Sequence, residues 1–136
     1  MKNIKSLIAV LALCGLAACA DNTPKTFSGF IADASMNTVT VRALTADDTY
    51  TFSTMNADKS DANGLLLGAP ITVDYTGKLK DGTAATKVAT DPTYAEAVGK
   101  WTMPDPISPE SVMGIEIMVE GEAKSINMAT LVYTSW

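Results

Sequence analysis

The sequence predicts an all-β protein, in which a small five-stranded barrel of the OB or SH3-like kind precedes an antiparallel β segment too short to close on itself. Three observations carry this. Short runs of alternating apolar and polar residues, rich in β-branched and aromatic side chains, recur between Phe27 and Thr90 with turn residues between them. Five such runs fall within about sixty-five residues, and closing them into a barrel removes exposed strand edges. A second β pattern starts at Val98 and carries three prolines near its beginning.

Residues 19–25 are polar with one proline and read as a tether; residues 26–91 form the barrel module. Phe27-Ser28-Gly29-Phe30-Ile31 is the first strand, and Ala34-Ser35-Met36-Asn37 is a turn. Thr38 to Leu44 alternates, with Val39 and Val41 on one face. Asp47-Asp48 turns the chain into Thr49-Tyr50-Thr51-Phe52-Ser53. Met55 to Asn63 is polar and turn-rich, with room for one helical turn, and Leu65-Leu66-Leu67 re-enters the core. Ile71 to Tyr75 is the fourth strand. Asp81-Gly82 then gives a two-residue hairpin signal, and the fifth strand runs over Ala85 to Ala89. The aromatics Phe27, Phe30, Tyr50, Phe52 and Tyr75 are all expected on inward faces.

Asp91 to Glu96 links this module to residues 98–136. In the second pattern, Met103 to Pro109 is expected not to pair as a regular strand, because three of its residues lack the N–H. Gly114 to Val119 is a strand with Ile115, Ile117 and Val119 on one face, Glu120-Gly121-Glu122 turns it, and Ala123 to Tyr133 is the returning strand.

At the other end of the chain, Lys2 and Lys5 form a basic start, Ser6 to Leu13 is an apolar run too short to span a bilayer, and Leu16-Ala17-Ala18-Cys19 follows. This order resembles a bacterial lipoprotein signal peptide (residues 1–18) ending in a lipobox. The resemblance implies cleavage before Cys19, a diacylglycerol thioether on its sulfur and an acyl chain, such as palmitate, on its amine. Durable anchoring needs more than one chain, since each buried CH₂ adds only about 0.8 kcal/mol. Ala20 rather than aspartate after the cysteine favours the outer membrane of the cell envelope.

Cleavage leaves 118 of the 136 residues, enough for one domain or two very small ones. Cys14 departs with the signal and Cys19 is acylated, so no thiol remains for a disulfide, a metal or catalysis. The chain has no histidine, which removes the commonest general base and the commonest transition-metal ligand. Formal charge is −5, and −7 once Lys2 and Lys5 are gone; with no Lys/Arg cluster, nucleic acid is not an expected partner.

Gly99-Lys100-Trp101, then a proline-rich loop, then Gly114-Ile115-Glu116-Ile117, Glu120-Gly121-Glu122-Ala123 and Ser125-Ile126-Asn127-Met128-Ala129-Thr130-Leu131, with Tyr133 and Trp136 after them, resembles bacterial lipocalin-like lipoproteins over residues 98–136. The resemblance implies the start of an eight-stranded up-and-down barrel. Gly99 and Trp101 would be its structural motif, the tryptophan plugging the closed end with its N–H partnered. Eight strands with their turns need on the order of a hundred residues. Only 38 run from Gly99 to Trp136, so a C-terminally truncated member is expected.

The chemistry-bearing residues reduce to surface features. An EF-hand register through Gly64 would place Lys59 first and Pro70 twelfth, where calcium needs carboxylates, so no metal site is expected. Glu116, Glu120 and Glu122 read as solvent-facing or turn charges rather than a catalytic pair. No nucleophile elbow and no phosphate loop are present. Met113, Met118 and Met128 are core or the lining of an adaptable apolar pocket. The expectation is therefore a lipid-anchored envelope protein with no catalytic residues and no cofactor. It would meet the membrane through its lipid and bind a small apolar ligand in the complete lipocalin-like domain, by residues the sequence does not identify. The alternative is a module that presents loops to a partner protein or polysaccharide.

Overall fold

The computed structural model describes residues 22–136. Residues 1–21, which include the expected signal segment, the expected lipidation at Cys19 and the start of the expected tether, lie outside the described residues. Among the described residues the strands are β1 (Pro24–Ala34), β2 (Thr38–Ala43), β3 (Thr49–Ser53), β4 (Asp58–Asp61), β5 (Pro70–Thr76), β6 (Thr83–Thr90), β7 (Gly99–Pro104), β8 (Val112–Ile117) and β9 (Ala123–Ile126). One short helix, α1 (Pro92–Ala97), separates β6 from β7. No helix there is long and apolar enough to cross a membrane.

The first six strands make one sheet, ordered β3-β2-β1-β5-β6-β4, and an added β3–β6 pairing bends five of them into a ring. Four of the ring's pairings are antiparallel. The closing pair is parallel and short, Phe52 opposite Thr83 and Ser53 opposite Ala84. The result is a partly open five-stranded ring, the kind of all-β module the alternation predicts. Strand β4 was not expected. It continues along the same edge of β6 that β3 begins, Asp58 opposite Lys87 and Asp61 opposite Ala89. Its four residues are all exposed and none is apolar, so no alternation marks it. Charged side chains suit a strand at a sheet edge.

Inside the ring, Ile31, Val39, Val41, Phe52, Ile71, Val73, Tyr75, Ala85 and Val88 form the core. Phe27 meets Tyr50 edge-on at 5.4 Å between ring centres, and Phe52 lies 5.7 Å from Phe27 and 5.9 Å from Tyr75. Such aromatic pairs add to simple burial. Phe30 does not join them. Strand side chains alternate, and with Gly29 and Ile31 buried, Phe30 points to the outer face, opposite Arg42. A register shift between Ile31 and Asp33 marks a bulge in β1, just beyond Phe30.

The β5–β6 connection also differs from expectation. It spans residues 77–82 rather than two residues, and Gly77 and Gly82 both take positive φ. Asp81 serves the turn differently: its carboxylate accepts the Thr51 N–H at 2.9 Å, tying the loop to β3.

In the linker, the Asp91 side chain accepts the Thr93 N–H at 2.8 Å and Pro92 occupies the first helical position, which starts α1. Strands β7, β8 and β9 then form a separate three-stranded antiparallel sheet. Pairing reaches Pro104, opposite Val112, further into the proline segment than expected; β7 is an edge strand, where a missing N–H is tolerated. Val119 lies in a 3₁₀ turn with Glu120 and Gly121 rather than in β8. The returning strand stops at Ile126 instead of Tyr133. Asn127 takes a φ of 52° and its side-chain amide donates to the Val112 carbonyl at 2.7 Å, which turns the chain away.

Candidate functional site

Two surfaces qualify by chemistry. The first is one face of the three-stranded sheet. The pairings Trp101–Ile115, Met103–Met113, Gly99–Ile117 and Ile117–Ala123 place these apolar residues on one face, since paired residues share a side. Lys100, Glu116 and Lys124 fall on the other, where exposed Lys100 and half-buried Glu116 form an ion pair at 3.7 Å. Trp101 and Met103 are each 56% exposed, so the apolar face is only partly covered. The Trp101 indole N–H donates to the Ala97 carbonyl at 2.8 Å, fixing the ring against the end of α1. Gly99 makes the corner between α1 and β7 with a φ of 151°. Three strands enclose no interior of their own.

The second surface is the junction between ring and sheet. The loop after β4 brings Leu67 and Gly68 to the ring's rim, where the Gly68 N–H donates to the Ile31 carbonyl at 2.8 Å. The Tyr94 hydroxyl, from α1, donates to the Leu67 carbonyl at 2.8 Å and accepts the Glu120 N–H at 2.9 Å. Tyr94 also packs on Trp136, 5.1 Å between ring centres, while the Trp136 indole N–H donates to the Met118 carbonyl at 2.7 Å. Beside these contacts opens a cleft of about 480 Å³, lined by Phe30, Arg42, Gly68, Tyr94, Glu120 and Trp136 among others. Phe30 reaches it because the β1 alternation turns the ring outward, and Arg42 because it pairs with Phe30 across β1 and β2.

The candidate carboxylates do not converge. Glu116 pairs with Lys100, and Glu120 sits at the junction. Among the described residues, no three His, Cys, Asp or Glu side chains come together to hold a metal ion. Within the segment considered for calcium, Asp58 accepts the Ser60 N–H, which with the Ser60 hydroxyl holds its carboxyl below the usual range. Asp61 bonds Lys87 and pushes its ammonium up. These are exposed contacts of the β4–β6 edge.

Residues 93–136 match a family model described as lipocalin-like. The matched segment takes in α1 from Thr93 onward, the three-stranded sheet, Gly99, Trp101 and Trp136, so the C-terminal module is lipocalin-like. No curated protein and no solved structure matches the chain.

Motif and composition single out Trp101 and the methionines in the sequence, whereas Arg42 and the outward face of Phe30 emerge only with the fold. A signal existed for both. Arg42 is the only arginine in the chain, and strict period-two counting from Ile31 puts Phe30 outside.

Proposed function

We propose that this chain is a lipid-anchored protein of the bacterial cell envelope whose lipocalin-like module binds a small apolar ligand and catalyses no reaction. The observation that carries the ligand reading is the apolar sheet face of Trp101, Met103, Met113, Ile115 and Ile117, open at Trp101 and Met103. Covering such a face is favourable by roughly 25 cal/mol per Å² of apolar surface removed from water. Two methionines among five residues make a surface that adapts to an acyl chain or another flexible apolar body. The absence of histidine and the commitment of Cys19 to acylation support a non-catalytic role. The anchor rests on Lys2, Lys5, the apolar run to Leu13 and Leu16-Ala17-Ala18-Cys19, and Ala20 favours the outer membrane.

Native mass spectrometry of the full chain, expressed in a bacterium and released in mild detergent, tests the binding. A bound small-molecule mass is expected, and Met103→Asp should remove it, because a carboxylate on the open face opposes apolar contact. A chain that carries no small molecule and captures only a protein or a glycan overturns the reading in favour of an interaction module. For the anchor, metabolic labelling with palmitate should mark the wild-type chain and not Cys19→Ser.

A further inference from the structure

The cleft between ring and sheet presents two unpaired opposite charges against aromatic walls. Arg42 is the chain's only arginine, and its guanidinium has no hydrogen bond or ion pair among the described residues. Glu120 lines the same cleft, its carboxylate likewise without a partner among the described residues, and the two do not pair with each other. Phe30, Tyr94 and Trp136 supply the apolar surface around them. Glu120 is held at a φ of 61°, a left-handed conformation that only glycine and asparagine adopt readily, and its N–H is locked to the Tyr94 hydroxyl. A strained residue held by its surroundings is characteristic of ligand clamps.

From this arrangement we propose that the cleft binds a small zwitterion with an aromatic or apolar body, of the class of aromatic amino acids and dipeptides. Arg42 would take the carboxylate and Glu120 the ammonium. The planar guanidinium matches a carboxylate with two parallel hydrogen bonds. A simple anion fits less well, since it would meet Glu120 and the acidic surface of a chain with a formal charge of −5. A simple cation would leave Arg42 unpaired. The volume of about 480 Å³ lies in the range of small-ligand sites and accommodates a dipeptide. The cleft shares none of the residues on the apolar sheet face, so this site goes beyond the reading above.

Isothermal titration calorimetry on the full chain tests it with three probes: L-phenylalanyl-L-alanine, its N-acetyl derivative and its C-terminal amide. The free dipeptide should bind, and each blocked form should bind about tenfold or more weakly, the loss of one charge-assisted pairing. Arg42→Gln should lower the free dipeptide to the level of the amide and leave the amide unchanged. Glu120→Gln should do the same relative to the N-acetyl form. Both side chains are exposed, so melting curves of the variants should overlay the wild type. No heat from the free dipeptide at millimolar concentration, equal binding of all three probes, or an Arg42→Gln variant that still prefers the free carboxylate overturns the proposal. Each of those failures leaves the apolar-ligand reading standing, because that reading depends on Trp101 and Met103.

Discussion

The Glu120 backbone N–H donates to the phenolic oxygen of Tyr94 at 2.9 Å, so a residue of the 3₁₀ turn after β8 is bonded to a side chain from α1. The same phenol donates to the Leu67 carbonyl at 2.8 Å, and Leu67 belongs to the loop on the ring's rim. One hydroxyl thus joins three segments. The Glu120 N–H also points at the Leu67 carbonyl at 3.3 Å, and Trp136 covers Tyr94 from the side. These bonds and the Tyr94–Trp136 contact link the lipocalin-like sheet to the ring.

Tyr94→Phe keeps the ring contact with Trp136 and deletes the hydroxyl. Leu67 retains the longer bond from Glu120, so the net loss is close to that of one hydrogen bond, about 1 kcal/mol. Urea unfolding should show that decrease. Limited proteolysis should cut residues 93–136 faster than in the wild type while the ring persists, because the junction opens before the core does.

Gly68→Ala should cost more. Gly68 has a φ of 79°, and a Cβ there would sit 2.7 Å from the Tyr94 hydroxyl and 3.0 Å from the Glu120 Cα. The left-handed backbone alone costs an alanine about 1–2 kcal/mol, and the collision displaces Tyr94 or the turn. Denaturant melts should therefore show a loss of at least 2 kcal/mol. Combined with Tyr94→Phe, the effects should add to less than their sum, since both variants break the same contact.

Period-two alternation made the ring legible, because each of its strands buries one face: Val39 and Val41, Tyr50 and Phe52, Ile71, Val73 and Tyr75 were readable as inward residues from spacing alone. Strand β4 was not readable. Asp58-Lys59-Ser60-Asp61 buries nothing, and its place depends on β6, a neighbour remote in sequence. Asn127 ended β9 early through a side-chain bond to Val112, a contact that no local pattern announces. The apolar sheet face was visible in Ile115, Ile117 and Trp101. The cleft was not, because it exists only where β1, the Gly68 loop, α1 and the 3₁₀ turn meet.

Stability should be nearly level between about pH 5 and 9, as no histidine titrates in that window. The two displaced groups act outside it. The Asp58 carboxyl is held below its ordinary range, so its contribution is present at neutral pH and is lost as pH falls through the folded-state value. The Lys87 ammonium is raised, so its contribution is present at neutral pH and is lost as pH climbs through the lysine range. Both lie on the exposed β4–β6 edge, where solvent keeps the effects small. Thermal melts across pH should show a plateau with shallow losses at each end. Asp61→Asn should flatten the alkaline loss, because the partner that raises Lys87 is gone.

Thr54 and Thr83 are both buried in the ring but differ in what their hydroxyls do. The Thr54 side chain is fully buried, and its Oγ1 has no hydrogen-bond partner among the described residues. The Thr83 hydroxyl donates to the Lys80 carbonyl at 2.7 Å and accepts the Lys80 N–H at 3.1 Å. Valine matches threonine in shape and lacks the hydroxyl. At Thr54 the change removes an unsatisfied polar atom and leaves the backbone bond from the Thr54 N–H to the Asn37 carbonyl in place, so Thr54→Val should stabilise by about 1 kcal/mol. At Thr83 it deletes two bonds inside the β5–β6 loop, so Thr83→Val should destabilise by about 1–2 kcal/mol. Urea unfolding of the pair decides the matter. Opposite signs follow from the hydrogen bonding, whereas equal losses would show that the Thr54 hydroxyl has a partner, such as a buried water.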